Sequence, residues 1–191
     1  MKTIVFDFDK TLTYKDTMNQ FFFWRMRGIR ALYLPIFLGG VFLVKIKIIT
    51  VKKFKEICIR LLAPNSKDQL LSLFKEFSDK IELAESICIL NEKVKDGNRV
   101  IILSASPIYY LKEIFPMCEI IGTTFTFNLL EEFQNVAEHP YGKDKCTSLI
   151  KKGITSIDEL YYDSKSDEEL FSLCKTAYKV KNGKIIKIIK L

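Results

Sequence analysis

Thr3-Ile4-Val5-Phe6-Asp7-Phe8-Asp9-Lys10-Thr11-Leu12-Thr13 opens the chain with a run of β-branched and aromatic residues that stops on two carboxylates. The run reads as a buried strand. Side chains alternate along a strand, so Asp7 and Asp9 point the same way, next to each other, within an apolar segment. Like charges held that close repel unless a cation or a proton intervenes. The bland alternative is an acidic turn that merely ends an N-terminal strand. The sharper one is metal binding, acid–base chemistry, or both.

The rest of the composition narrows the class. At 191 residues, 48% hydrophobic and 28% charged, the chain is one domain or one domain with a sizeable insertion. Its five cysteines, at 58, 88, 118, 146 and 174, are widely spaced without a C-x-x-C pair, and His139 is the sole histidine. That leaves no zinc-site spacing. The odd cysteine count and the charged strand at the N-terminus, in place of a signal sequence, lead us to expect a reducing cytoplasm. The net charge of +7 is uneven: residues 1–67 hold 13 Lys/Arg against 4 Asp/Glu, while residues 68–191 hold 17 against 19. That asymmetry suggests an anionic partner near the first third: a phosphorylated substrate, an acidic membrane surface or, as the least favoured, nucleic acid. No nucleic-acid-binding motif accompanies the charge.

Tyr14 to Pro64 is the most unusual stretch. Phe21-Phe22-Phe23-Trp24 precedes Arg25, Arg27 and Arg30, and Ala31 to Val44 then runs without a charge. The run is short of the ~18–20 apolar residues of a membrane span, and Pro35 and Gly39-Gly40 predict a bend. Two readings stay open: short helices forming the core of a small helical cap, or an aromatic and basic surface leaning on a membrane interface. Val51–Leu62 reads as a basic amphipathic helix. Residues 66–80 read as a second, capped by Asn65 or Ser66 with Gln69 three residues on. Ala84–Lys95 reads as a helix stopped at Gly97, and Arg99–Leu103 as a strand buried on both faces.

Farther on, Ile108–Phe115 reads as helix and Glu119–Gly122 as strand, with a hairpin within Phe125–Gly142. A helix at Lys143–Lys152, a strand at Glu159–Tyr162 and a helix at Asp167–Cys174 follow. Asn182-Gly183 marks a terminal hairpin. Alternating strands and helices predict an α/β fold with a mostly parallel sheet.

Such sheets collect functional residues at the C-terminal ends of their strands. Three of those ends are polar: Asp7/Asp9, Ser104-Ala105-Ser106, and Asp163-Ser164-Lys165-Ser166-Asp167. The second offers a hydroxyl and backbone N–H groups at a helix start. Between the second and third, Gly142-Lys143-Asp144-Lys145 opens a helix with a cation. Each alone has an ordinary structural explanation, as a helix cap, a turn or a solvated charge.

Taken in order, D-F-D-K-T-L-T, V-I-I-L-S-A-S-P, G-K-D-K and Y-Y-D-S-K-S-D resemble the motifs of the haloacid dehalogenase superfamily, in its phosphoserine-phosphatase-like branch. They span residues 3–170. The resemblance implies a Rossmann-like core (residues 1–14 and 83–191) with an α-helical cap inserted at 15–82. It implies Asp7 as nucleophile and Asp9 as general acid and base. It further implies Thr11, Ser104, Ala105, Ser106 and a lysine, Lys143 or Lys145, around the phosphate. Mg²⁺ would be held by Asp7, Asp9 (through its backbone carbonyl), Asp163 and Asp167, and a set of oxygens without His or Cys suits that ion. Two departures stand out. Lys10 replaces a usual Gly, and Tyr162 replaces the Gly that commonly precedes the last motif's Asp.

The expected activity is phosphomonoester hydrolysis, with a small or amphiphilic organic phosphate, lipid phosphates included, as substrate. Phosphoserine is the alternative, poorly provided for because Asp16 and Glu56 are the only acids from Tyr14 to Leu62. A reading of another class is a catalytically feeble phospho-ligand-binding or membrane-docking protein, with peripheral contact at the inner face of a membrane. Oligomeric state is not legible.

Overall fold

The computed structural model describes residues 1–191. Strand β1 (Thr3–Phe6) lies at the middle of a six-stranded sheet, between β2 (Arg99–Pro107) and β6 (Ile157–Tyr162), and runs parallel to both. The sheet is completed by β3 (Glu119–Thr123) beyond β2, and by β7 (Cys174–Lys181) and β8 (Lys184–Lys190) beyond β6, giving the order β3-β2-β1-β6-β7-β8. Only the β7–β8 pair is antiparallel. Its turn uses Asn182 and Gly183, both left-handed at φ 51° and 75°, the geometry that an Asn-Gly hairpin requires.

The apolar run at the N-terminus has its explanation in this placement. Ile4 and Phe6 are buried on one face of the sheet with Phe8 and Tyr110, while Val5 is buried on the other with Leu103, Leu149 and Leu160. A strand covered on both faces has no polar positions to spare. Phe6 stacks on Tyr161 at 4.3 Å between ring centroids, and Tyr161 on Tyr178 at 4.7 Å.

Between β1 and β2 the chain forms helices α1 (Thr17–Arg25), α2 (Leu34–Lys45), α3 (Val51–Leu62), α4 (Lys67–Ser78) and α5 (Ile87–Lys95). A 3-10 helix, Gly28–Tyr33, leads into α2. The expected break therefore lies at the junction before Pro35, which sits in the first turn of α2, and α2 continues through Gly39 and Gly40. Gly40 serves close packing: a Cβ there would lie 2.4 Å from the Phe54 ring. β2 runs past the expected Leu103 to Pro107, so Ser104, Ala105 and Ser106 lie in the strand, and three further details differ from expectation. The helix expected from Ala84 starts at Ile87, because Ala84 N–H and Ser86 Oγ are tied to the carbonyls of Leu12 and Thr11. Ser66 occupies the N-cap of α4 without a side-chain capping bond; Lys67 N–H donates instead to Glu131. Residues Lys165–Leu173 wind as 3-10 helix, not α-helix.

After β2 come α6 (Ile108–Ile114), the hairpin β4 (Phe125–Phe127) and β5 (Phe133–Val136), and α7 (Lys143–Lys151). The aromatics Phe21, Phe74, Phe77, Tyr110 and Phe125 form one chain of contacts, with centroids 4.9–5.8 Å apart. The helical insertion and the sheet thus share a single hydrophobic core.

Candidate active site

Strands β2 and β3 lie to one side of β1, and β6 and β7 to the other, so the strand order reverses at β1. A crevice forms at the C-terminal ends of strands at such a point. Asp7 is the first residue past β1, and its N–H continues the ladder to Tyr161 O at 2.9 Å. Ser104 and Ala105 border the same cavity from β2, and Asp163 from the end of β6; its volume is about 430 Å³.

The carboxylates of Asp7, Asp163 and Asp167 converge, with one oxygen from each lying within 4.8 Å of the others. Lys145, on the inward face of α7, donates to Asp7 Oδ1 at 2.6 Å and to Asp167 Oδ1 at 2.5 Å. Ser164 Oγ donates to Asp167 Oδ2 at 3.1 Å. Burial pushes the Asp7 carboxyl up to about 8; Lys145 opposes this, and Asp167 and Asp163 add to it. Asp163 is raised by the same causes, burial first and then Asp167. Burial alone would lower the Lys145 pKa, but Asp7 and Asp167 outweigh it and hold the ammonium charged. Five carboxylates (Asp7, Asp9, Asp16, Asp163, Asp167) face three ammonium groups (Lys10, Lys55, Lys145) around the cavity. An incoming phosphate dianion would deepen that negative imbalance. A divalent cation among the three convergent carboxylates offsets it, and an all-oxygen donor set fits Mg²⁺.

Asp9 is held separately. Its Oδ1 accepts from Thr17 N–H at 2.6 Å and Thr17 Oγ1 at 2.7 Å, and its Oδ2 from Ser106 Oγ at 2.6 Å. Its carboxylate is thus engaged by these donors and is not one of the three that converge. Lys10, at the next position, has φ 61°. That is the left-handed region in which Gly is at home, and it accounts physically for the Gly usual in related motifs.

Of the two lysines expected as alternatives, only Lys145 enters the site; Lys143 is exposed at the start of α7. Thr11 is buried behind Asp7, its Oγ1 3.4 Å from Asp7 Oδ2. Ser106, near the end of β2, is spent on internal bonds, its N–H on Ser104 Oγ at 3.0 Å and its hydroxyl on Asp9. The expected cradle therefore presents Ser104 and Ala105 to the cavity, with Ser106 behind them. Tyr162 is fully buried against Phe171, and no partner meets its hydroxyl. It packs and does not line the cavity.

Sequence reasoning missed Lys55. From α3 it donates to Ala105 O at 2.9 Å and stands over the cavity. Burial lowers its pKa, against the pull of Asp9 and Asp16. Its signal was legible, since Lys55, Ile59 and Leu62 recur at helical spacing on a face that buries Ile59 and Leu62. Asp16, the N-cap of α1, and Thr17 were missed as well.

Residues 4–151 match the family model of the haloacid dehalogenase-like hydrolases. The chain belongs to that family. Among solved structures, this hydrolase is similar to a Bordetella pertussis Tohama I protein of unknown function (TM-score 0.74, 17% identity, 88% of this chain and 84% of that one). It is similar also to a phosphoserine phosphohydrolase-like protein from Francisella tularensis (TM-score 0.63, 19% identity, 90% and 82%). A phosphoserine phosphatase solved as a phospho-aspartyl intermediate analogue shares the fold too (TM-score 0.58, 16% identity, 93% and 85%). At these identities the likeness is one of fold. No curated protein matches this hydrolase in sequence.

Proposed function

We propose that this hydrolase cleaves phosphomonoesters in a Mg²⁺-dependent reaction, through a phosphoryl group carried on Asp7. The observation that supports it best is the division of labour between two carboxylates. Asp7 is buried against a fixed ammonium, while Asp9, two residues on, is clamped by hydroxyls and kept apart from the acidic trio. Asp7, Asp163 and Asp167 would hold the ion, which supplies charge neutralisation for the phosphoryl oxygens. An Asp7 carboxylate oxygen attacks phosphorus as the ester P–O bond breaks. Asp9 gives a proton to the departing alkoxide and then takes one from the water that hydrolyses the acyl phosphate. Lys145 and Lys55 bring positive charge to the cavity, and Ser104 Oγ a hydrogen bond. We assign residues 15–82 as the cap that sets substrate choice, and the basic, aromatic insertion favours an anionic or amphiphilic phosphate. Five unpaired cysteines suit a reducing cytoplasm.

Phosphoserine is the second reading. Asp16 at the cavity favours it, as an acid able to meet an ammonium group; no arginine lines the cavity to take the carboxylate. A third reading, a feeble phospho-ligand binder, shares the geometry but not the turnover. The deciding experiment is hydrolysis of an aryl phosphate with and without Mg²⁺ by wild type and Asp7→Asn, then a panel of amino-acid, sugar, nucleotide and lipid phosphates. Activity that needs both Mg²⁺ and Asp7 is expected. Equal inertness of wild type and variant would sink the enzyme reading, and a dominant preference for phosphoserine would replace the substrate reading.

A further inference from the structure

The segment Gly28–Lys45 is 18 residues long, and only 6% of it is buried. Phe37 is its one buried residue, set against Phe22 and Phe54. Beside it, Leu34, Leu38, Val41 and Phe42 share a helix face and are exposed, the last by 60%. Ile29 and Leu32 before α2, and Ile46 and Ile48 after it, are exposed as well. No element of the fold covers this face. Contiguous apolar surface of this kind marks a contact site.

Charge identifies the partner. Between Asp16 and Glu56 the chain has no acid, whereas Arg25, Arg27, Arg30, Lys45, Lys47, Lys52 and Lys53 flank or follow the apolar segment. An apolar helix bordered by cations complements an anionic lipid leaflet, with the side chains in the acyl boundary and the cations at the headgroups. Topology fixes the mode of contact. β1 precedes the segment, while β2 and β6 follow it, and all three hydrogen-bond in one sheet. The chain therefore emerges on the side it entered, which excludes a single crossing.

We infer that Gly28–Lys45 lies in the plane of an anionic bilayer surface and docks the protein there. The docked side adjoins the active site: Val41, Val44 and Phe54 line a crevice with Asp16 and Lys55, both of which also border the Asp7 cavity. The inference does not depend on turnover.

Flotation of the full-length chain with vesicles tests it. Wild type and Asp7→Asn are expected to float equally with phosphatidylcholine–phosphatidylglycerol vesicles, less well as salt rises, and poorly with phosphatidylcholine alone. The exposed double variant Leu38→Glu/Phe42→Glu is expected to lose binding at least about tenfold, with circular dichroism unchanged. Arg27→Gln/Arg30→Gln is expected to lose it about tenfold on the anionic vesicles. Wild type that remains unbound to anionic vesicles, or a Glu double variant that floats as well as wild type, overturns the inference. Sedimentation showing a dimer that the Glu variant disperses, without vesicle binding, overturns it too and assigns the face to a second copy of the chain.

Discussion

Lys145 Nζ stands 2.6 Å from Asp7 Oδ1 across 138 positions of chain, and on its other side it meets Asp167. One ammonium group thus holds the end of β1 to the 3-10 helix that follows β6. Lys145→Met leaves those carboxylates facing each other in a buried site. Hydrolysis of an aryl phosphate should fall about 10²–10³-fold, while Lys143→Met, on the solvent side, should stay within about twofold of wild type. Steady-state kinetics on the two variants checks this, and an equal loss in both would refute the assignment of Lys145.

Asp9 predicts a dependence on leaving group. Asp9→Asn keeps the contact with Thr17 and removes the transferable proton, so alkyl phosphates should lose about 10²–10⁴-fold in rate. Aryl phosphates with an acidic leaving group need less protonation and should lose less. Plotting rate against leaving-group pKa for both proteins makes the comparison; parallel lines would deny Asp9 the role of acid. Thr17→Val removes only the hydroxyl contact of the pair and should cost about tenfold.

Lys10 predicts a gain in stability. At φ 61° a side chain costs roughly 1–2 kcal/mol that Gly does not incur, partly offset by the greater freedom of Gly in the unfolded chain. Lys10→Gly should therefore stabilise by about 1 kcal/mol, a rise of about 2–4 °C in Tm for a chain of this size. Thermal unfolding at neutral pH measures it. An unchanged or lower Tm would mean that the Lys10 side chain contributes more than the strain removes.

His139 predicts acid sensitivity. Its Nδ1 lies 2.9 Å from Thr123 Oγ1, and its Nε2 is buried with no acceptor in reach. Burial, with Lys55 and Lys52 close by, lowers its pKa from 6.5 to about 3. Between those values the unfolded chain binds a proton that the folded chain does not, so stability falls as pH drops from about 6.5 towards 3, by up to about 1.4 kcal/mol per pH unit. His139→Asn should start less stable at pH 7 and show a shallower decline. Urea unfolding across this window compares the slopes; identical slopes would remove His139 as the cause.

Much of this was legible in the sequence wherever the signal was local. The β-branched and aromatic run of Thr3–Phe6, the Asn182-Gly183 turn and the periodicity of Val51–Leu62 each depend on neighbours a few residues away, and the structure bears them out. The choice between Lys143 and Lys145 stayed open in the sequence for a local reason. Cys146 and Ile150 suggest one inward face for α7, yet Ile150 is 53% exposed, and the face that packs carries Lys145 and Leu149. An ammonium group placed where a hydrophobe is expected makes sense only once Asp7 and Asp167 are seen opposite. The hydroxyl clamp on Asp9 was hidden similarly, because Ser106 comes from a distant strand. The 3-10 winding of Lys165–Leu173 has no sequence signature that separates it from a short α-helix.

The insertion leaves and re-enters the sheet domain through a narrow neck. Thr13 bridges Leu83, Ala84 N–H reaches Leu12 O, and Ser86 Oγ reaches Thr11 O. Such a neck invites the view that the helices are a cartridge, exchangeable whole for another substrate preference. The shared aromatic core argues otherwise. Lifting out α1 and α4 would strip Phe74 and Phe77 from Tyr110, whose own hydroxyl stands 2.9 Å from the Thr17 that grips Asp9. Exchanging the helices whole would therefore disturb the hydrogen bonds that hold Asp9, whereas substitutions on their solvent-facing side would leave those bonds in place.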